Sequence, residues 1–191
     1  PVVYAFTDAP EGAVVLVSDD AEGAREAVEW MVGLGRRRLA HVTGPEGFAS
    51  ARERAWAFRA VAGEDAPVLH GEWSEAWGHE AVARLWAAPS PQPDGVFCGN
   101  DQIARGVVDA LRERGVAVPD GVSVVGFDNW EIVAAASRPP LTTVDMNLKE
   151  LGREAGRLIL ALADGAAVAP GVRRLPCRLV VRTSCGGAPE R

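Results

Sequence analysis

A chain of 191 residues with 48% hydrophobic and 24% charged residues can bury a substantial core, which excludes a disordered segment. Its formal net charge of −6 opposes binding to phosphate backbones by electrostatics alone. No apolar run reaches the ~20 residues that span a bilayer. Pro1–Phe6 lacks the basic start of a signal peptide, and Cys98, Cys177 and Cys185 lack the spacing of a disulfide framework or zinc site.

In chain order, Val2–Phe6 and Val14–Val17 read as short strands joined by a turn at Pro10 and Gly12. Ser18 and Asp19 are caps for a helix over Ala21–Leu34, with Ala24, Ala27, Val28, Met31 and Val32 on one face and Gly35 as its stop. Arg38–Thr43 is a strand, Ser50–Val61 a helix and Pro67–Gly71 a strand. A helix capped by Ser74 runs to Trp86, and Pro89–Pro93 is a loop. Strand Gly95–Cys98, a helix over Asp101–Arg114 capped by Asp101, and strand Ser123–Gly126 follow. Ile132–Ala136 is a short apolar turn, Leu141–Val144 is extended, and Leu148–Ala163 is a long helix. Short strands near Arg173–Leu175 and Arg178–Thr183 precede a frayed tail, Gly186–Arg191. Nearly all-apolar strands alternating with long helices predict an α/β fold, a parallel sheet with helices on both faces.

The motifs of catalysis are missing. Gly33-Leu34-Gly35 lies at a helix end and lacks the third glycine of a dinucleotide fingerprint. There is no P-loop, H-E-x-x-H or G-x-S-x-G, and His41, His70 and His79 are scattered. We expect no enzyme activity, no cofactor and no metal.

The polar residues instead collect at strand-to-helix corners, where ligands sit in open α/β sheets. Ser50, Arg52 and Arg54 open one helix, where cations are locally disfavoured. They suit either a ligand's polar groups or a solvated face paired with Glu53. Trp73 offers a flat face to a ring, or caps the sheet as a core residue. Asn100 and Asp128 end equivalent strands, as ligand groups or as ordinary caps. Trp56, Trp77 and Trp86 read as packing residues, and Trp130 as a pocket wall or subunit contact. Donors, acceptors and one flat apolar face together describe a polyol site.

The ordered segments SDDAEGAREAVEWMVGLGRRRLAHVTGP, SARERAWAF, GEWS, VFCGNDQIARG, VPDGVSVVGFDN and PPLTTVDMN resemble the effector-binding domain of LacI/GalR-type bacterial transcription regulators. The resemblance implies a periplasmic-binding-protein-like fold of two α/β lobes with a small effector in the cleft. It implies that Arg54, Asp128, Asn100, Trp73, Arg52 and Ser50 bind a sugar or sugar derivative. Met146 departs from the glutamine that many sugar-responsive members carry there. Residues 1–17 and 146–175 would be remnants of the first lobe, most of which is missing. Residues 18–145 and 176–191 would be the second lobe. That leaves half a cleft, with poor affinity expected of it alone.

The resemblance further implies a cytoplasmic homodimer, contacting itself in part through Ile132–Ala136. It would reach operator DNA only through an N-terminal helix-turn-helix that this sequence does not contain, and have no membrane partner. The alternative is a periplasmic sugar receptor of a transporter with the same fold.

Overall fold

The computed structural model describes residues 1–6, 9–87 and 91–186; the first two residues of the Pro89–Pro93 stretch and the tail 187–191 lie outside the described residues. The elements run β1 (Val3–Ala5), β2 (Val14–Ser18), α1 (Asp20–Gly33), β3 (Leu39–Thr43), α2 (Ala49–Ala62), β4 (Val68–His70), α3 (Glu75–Ala87) and β5 (Gly95–Cys98). Then come α4 (Asp101–Glu113), β6 (Ser123–Asp128), α5 (Glu131–Ala134), β7 (Thr142–Asp145), α6 (Leu148–Ala163), β8 (Gly171–Leu175) and β9 (Arg178–Val180).

Two sheets form. The larger has the order β4-β3-β5-β6-β7-β9, parallel throughout except for the β7–β9 pair. The smaller has the order β1-β2-β8, all parallel. Strands β3 and β5 are buried at every residue, as expected of strands covered on both faces. On one face, Val42, Val96 and Cys98 pack with Ile103, Val107 and Leu111 of α4 and with Trp77 and Val82 of α3. On the other, Phe97, Val125 and Phe127 pack with Ala27, Val28 and Met31 of α1 and Phe58 of α2. Helices α3 and α4 cross so closely that a Cβ on Gly106 would overlap the carbonyl of Glu75. The small sheet has a lesser core: Val14, Leu16 and Leu175 against Leu151 and Leu158 of α6.

Local chemistry fixes most helix starts. Asp19 accepts from Glu22 N and Ser74 from Trp77 N, both as caps. For α4 the cap is Asn100, whose Oδ1 accepts from Ile103 N at 2.8 Å. That corrects the assignment to Asp101, which has other partners described below. The packing role expected of Trp56 is also corrected. The buried face of α2 carries Ala51, Arg54, Ala55 and Phe58, so Trp56 points away from it and is 70% exposed.

In the large sheet the chain moves from β3 to β4 on one side, then back to β5 on the other. This reversal opens a crevice at the carboxyl ends of β3 and β5. The first turn of α2 carries Ser50 there, and the turn between β5 and α4 carries Asn100.

Candidate functional site

Five side chains reach that crevice. Ser50, Arg54, Trp73, Asn100 and Asp128 line a pocket of about 230 Å³. It adjoins a cavity of about 640 Å³ that shares Ser50 and Arg54 and is bounded by Phe6, Phe48, Met146, Val172 and Arg174, among others. That cavity lies between the two sheets. Arg52 lines neither space: its Nη1 donates to the carbonyls of Glu46 and Gly47, both at 2.8 Å.

Arg54 is the buried centre of the site, 3% exposed. Its Nε and Nη2 donate to Asp20 Oδ1 at 2.9 and 2.6 Å, and its Nη1 donates to the carbonyl of Gly99. The guanidinium carbon lies 3.7 Å from the centre of the Phe127 ring, a cation–π contact. Nη1 stands 4.0 Å from Asp128 Oδ1. Asp20 was invisible as a site residue in the sequence, where it reads only as the start of a helix. Its partner lies 34 positions away.

Asp128 ends β6 with φ 103°, and Asn129 follows with φ 49°. Two successive left-handed non-glycine residues store strain that the surroundings must hold. Asp101 supplies much of that hold. Its Oδ1 accepts from Thr143 Oγ1 at 2.5 Å and its Oδ2 from Trp130 N at 2.7 Å. Asn129 donates to Asp145 Oδ2 at 3.3 Å and accepts from Arg182 Nη2 at 2.8 Å. The turn is thereby fixed with the Asp128 carboxyl at the pocket.

Burial pushes the Asp128 carboxyl up to about 6, against the pull of the Arg54 guanidinium. Burial pushes Asp101 up to about 7, opposed by the hydrogen bonds from Thr143 and Trp130. His41 moves the other way. It is fully buried and stacked on Phe97 and Phe58, and burial lowers it to about 3, so it is a neutral core residue.

Trp73 lies against the backbone of Gly44, where a Cβ would overlap its indole. Phe48 meets it edge-on, with ring centres 6.0 Å apart and planes at 80°. An indole held this way presents a flat apolar face next to polar groups.

Several of the lining groups are uncommitted. Among the described residues, the Ser50 hydroxyl, the Asn100 amide nitrogen and the Asp128 carboxylate make no hydrogen bond within the chain. The pocket therefore offers a donor–acceptor, a donor and an anionic acceptor beside an aromatic face. No group of three His, Cys, Asp or Glu among the described residues is placed to hold a metal ion. No helix among them is long and apolar enough to cross a membrane.

Residues 28–185 match the family described as the periplasmic binding protein-like domain. The HTH-type transcriptional repressor CytR of Escherichia coli (strain K12) is 30% identical over 200 residues, covering 99% of this chain and 57% of the repressor. The chain thus spans a little over half the length of that relative. A solved complex of the transcriptional regulator CelR with cellobiose superposes with a TM-score of 0.84 at 30% identity, over 96% of this chain and 58% of that one. A LacI family transcriptional regulator from Enterococcus faecalis V583 with bound ribose superposes with a TM-score of 0.86 at 26% identity, over 100% of this chain and 70% of that one. With its α/β sheets, its crevice and these likenesses, the chain belongs to the periplasmic binding protein-like family, as an effector-binding domain of the LacI/GalR type.

Proposed function

We propose that this domain senses a small hydroxyl-rich effector, a sugar or sugar derivative, and that its occupancy controls DNA binding by the intact regulator. The observation that carries this reading is the pocket itself: uncommitted groups on Ser50, Asn100 and Asp128 converge beside the Trp73 face at the crevice of the large sheet. Two structural neighbours hold cellobiose and ribose. The relatives are named as transcriptional repressors and regulators, which favours this reading over the receptor of a transporter.

The mechanism needs two lobes that a ligand can bridge. In this reading residues 1–17 and 146–175 belong to one lobe and 18–145 with 176–191 to the other; β1, β8, α6 and all of β2 but its last residue, Ser18, fall in the first, and the strands of the large sheet in the second. A ligand held by Arg54 and Asp128 and reaching Val15, Val17 and Val172 would bind one lobe angle better than another. Such unequal binding suffices to shift the regulator between states. A cytoplasmic homodimer is the assembly we propose. Ile132 is 76% exposed beside the half-exposed Trp130, and both would lie in its contact.

The test is a panel of neutral sugars, including cellobiose and ribose, titrated into the intact natural protein with melting temperature and operator binding as readouts. At least one sugar is expected to raise the melting temperature and change operator affinity. Asp128→Asn is expected to weaken its binding about 10- to 100-fold, the worth of a hydrogen bond to a charged group. Stability should hardly change, because that carboxylate is partly exposed, accepts no hydrogen bond and stands 4.0 Å from its one ion-pair partner, Arg54. Unchanged affinity in Asp128→Asn would contradict the site.

A further inference from the structure

Two guanidinium groups line the cleft, and each is already held by a carboxylate. Arg54 spends Nε and one Nη2 hydrogen on Asp20 and one Nη1 hydrogen on Gly99. Arg174 faces Glu53 through two hydrogen bonds, Nη1 to Oε2 and Nη2 to Oε1, both 3.1 Å. Arg52, the nearest further cation of α2, is committed to two carbonyls. Against these two guanidinium groups the described lining residues carry three carboxylates: Asp20, Glu53 and Asp128. Among the described residues the walls therefore hold a net negative charge, and each of their two cations has a carboxylate partner.

A guanidinium recognises a carboxylate or phosphate through its planar fork of donors. In Arg54 the Nε/Nη2 side of that fork is closed by Asp20 and Gly99 takes one Nη1 hydrogen, which leaves one N–H on each Nη, with Nη1 4.0 Å from Asp128 Oδ1. A remaining Nη1 N–H beside a carboxylate that accepts no hydrogen bond suits a hydroxyl, which can accept from the first and donate to the second. An anion placed there would meet the Asp128 charge at close range in a partly desolvated site, where like charges repel strongly. The uncapped first turn of α2 has backbone N–H groups that suit an oxygen of either kind, so it does not discriminate.

We infer that Asp20, seconded by Glu53, sets the charge class of the effector: these carboxylates occupy the cleft's arginines and restrict it to uncharged, hydroxyl-bearing ligands. This rests on the sugar-sensing reading above and narrows it. Asp20 acts through Arg54 as a specificity-determining residue. The buried pair, with side chains 4% and 9% exposed, cannot be opened by a competing anion without leaving Asp20 buried and unpaired. The Glu53–Arg174 pair is far more exposed and contributes the smaller part of the discrimination.

The experiment uses matched probes on the intact natural protein: glucose against glucuronate, galactose against galacturonate, ribose against ribose 5-phosphate, and cellobiose against cellobionate. Calorimetric affinities are expected to favour the neutral member of each binding pair at least tenfold. In Asp20→Asn the neutral-to-anionic ratio is expected to fall about tenfold, which a merely structural role would not produce, and Asp20→Glu should restore it. Glu53→Gln, on an exposed pair, should fold regardless and shift the ratio a few-fold in the same direction. Anionic members binding as tightly as neutral ones would overturn the inference and leave sugar sensing standing. An unchanged ratio in both Asp20→Asn and Glu53→Gln would overturn the role of the carboxylates, as would Glu53→Gln alone if Asp20→Asn does not fold. Failure of every probe to bind would overturn this inference together with the reading it rests on.

Discussion

The two sheets of this chain are built from strands of similar length but held in different ways. In the larger one, β3 and β5 are buried throughout and an apolar cluster lies on each face. In the smaller one, β2 alternates between buried and half-buried residues, β8 is mostly exposed, and α6 buries only Leu151 and Leu158. The candidate pocket takes all five of its lining residues from the large-sheet side. The rigid wall thus supplies the groups whose positions matter, and the lightly held wall supplies Val15, Val17 and Val172, whose contribution is surface. This division suits a sensor in which one wall recognises and the other moves.

The comparison can be broken by deleting core side chains on each side. Phe97→Ala should cost about 3–5 kcal/mol, because Phe97 is fully buried, stacked on His41 of β3 and edge-on to Phe127 of β6. Leu16→Ala, equally buried in the small sheet, should cost nearer the lower end of the ~2–5 kcal/mol range, since its thin core can relax around the cavity. Chemical denaturation gives both values, and hydrogen exchange should find β2 amides opening before those of β5. Equal costs and equal protection would dissolve the distinction between a rigid and a soft wall.

A smaller effect sharpens the account of the Asp128 turn. Asp101 has a folded value of about 7 against 3.8 for a free aspartate, so the folded state holds its proton more tightly than the unfolded state. Its contribution to stability is therefore greatest at acid pH and is lost as pH rises from about 4 through 7. Asp101→Asn cannot titrate. The melting temperature of the natural protein relative to this variant should fall across that interval. A parallel pair of profiles would remove Asp101 from the list of buried titrating groups.

Much of this was readable in the chain because it depends on neighbours in sequence. Apolar runs, caps such as Asp19 and Ser74, and polar residues at strand ends placed the large sheet's elements within a few residues. Five of the six proposed site residues sit around one pocket, since corners of a parallel sheet converge at its carboxyl edge. Arg52 is turned away because on α2 it lies off the face that carries Arg54. What was hidden depends on distant partners. Asn100 and Asp101 are equally good caps by residue type, and Thr143 and Trp130 decide between them. The hold of Asp20 on Arg54 joins α1 to α2, and no local pattern announces it. The antiparallel placement of β9 against β7 comes from a chain return that the strand pattern does not encode.

The central claim is where the effector sits, and a crystal structure of the intact protein with the most strongly stabilising sugar tests it most directly. The account predicts sugar hydroxyls within hydrogen-bond distance of Asp128, Asn100 and the free edge of Arg54, with one ring face on Trp73 and the Asp20–Arg54 pair intact. A ligand elsewhere, for example in the cavity of about 590 Å³ formed by Arg37, Leu39, Pro67 and Leu85 at the opposite end of β3, would contradict it.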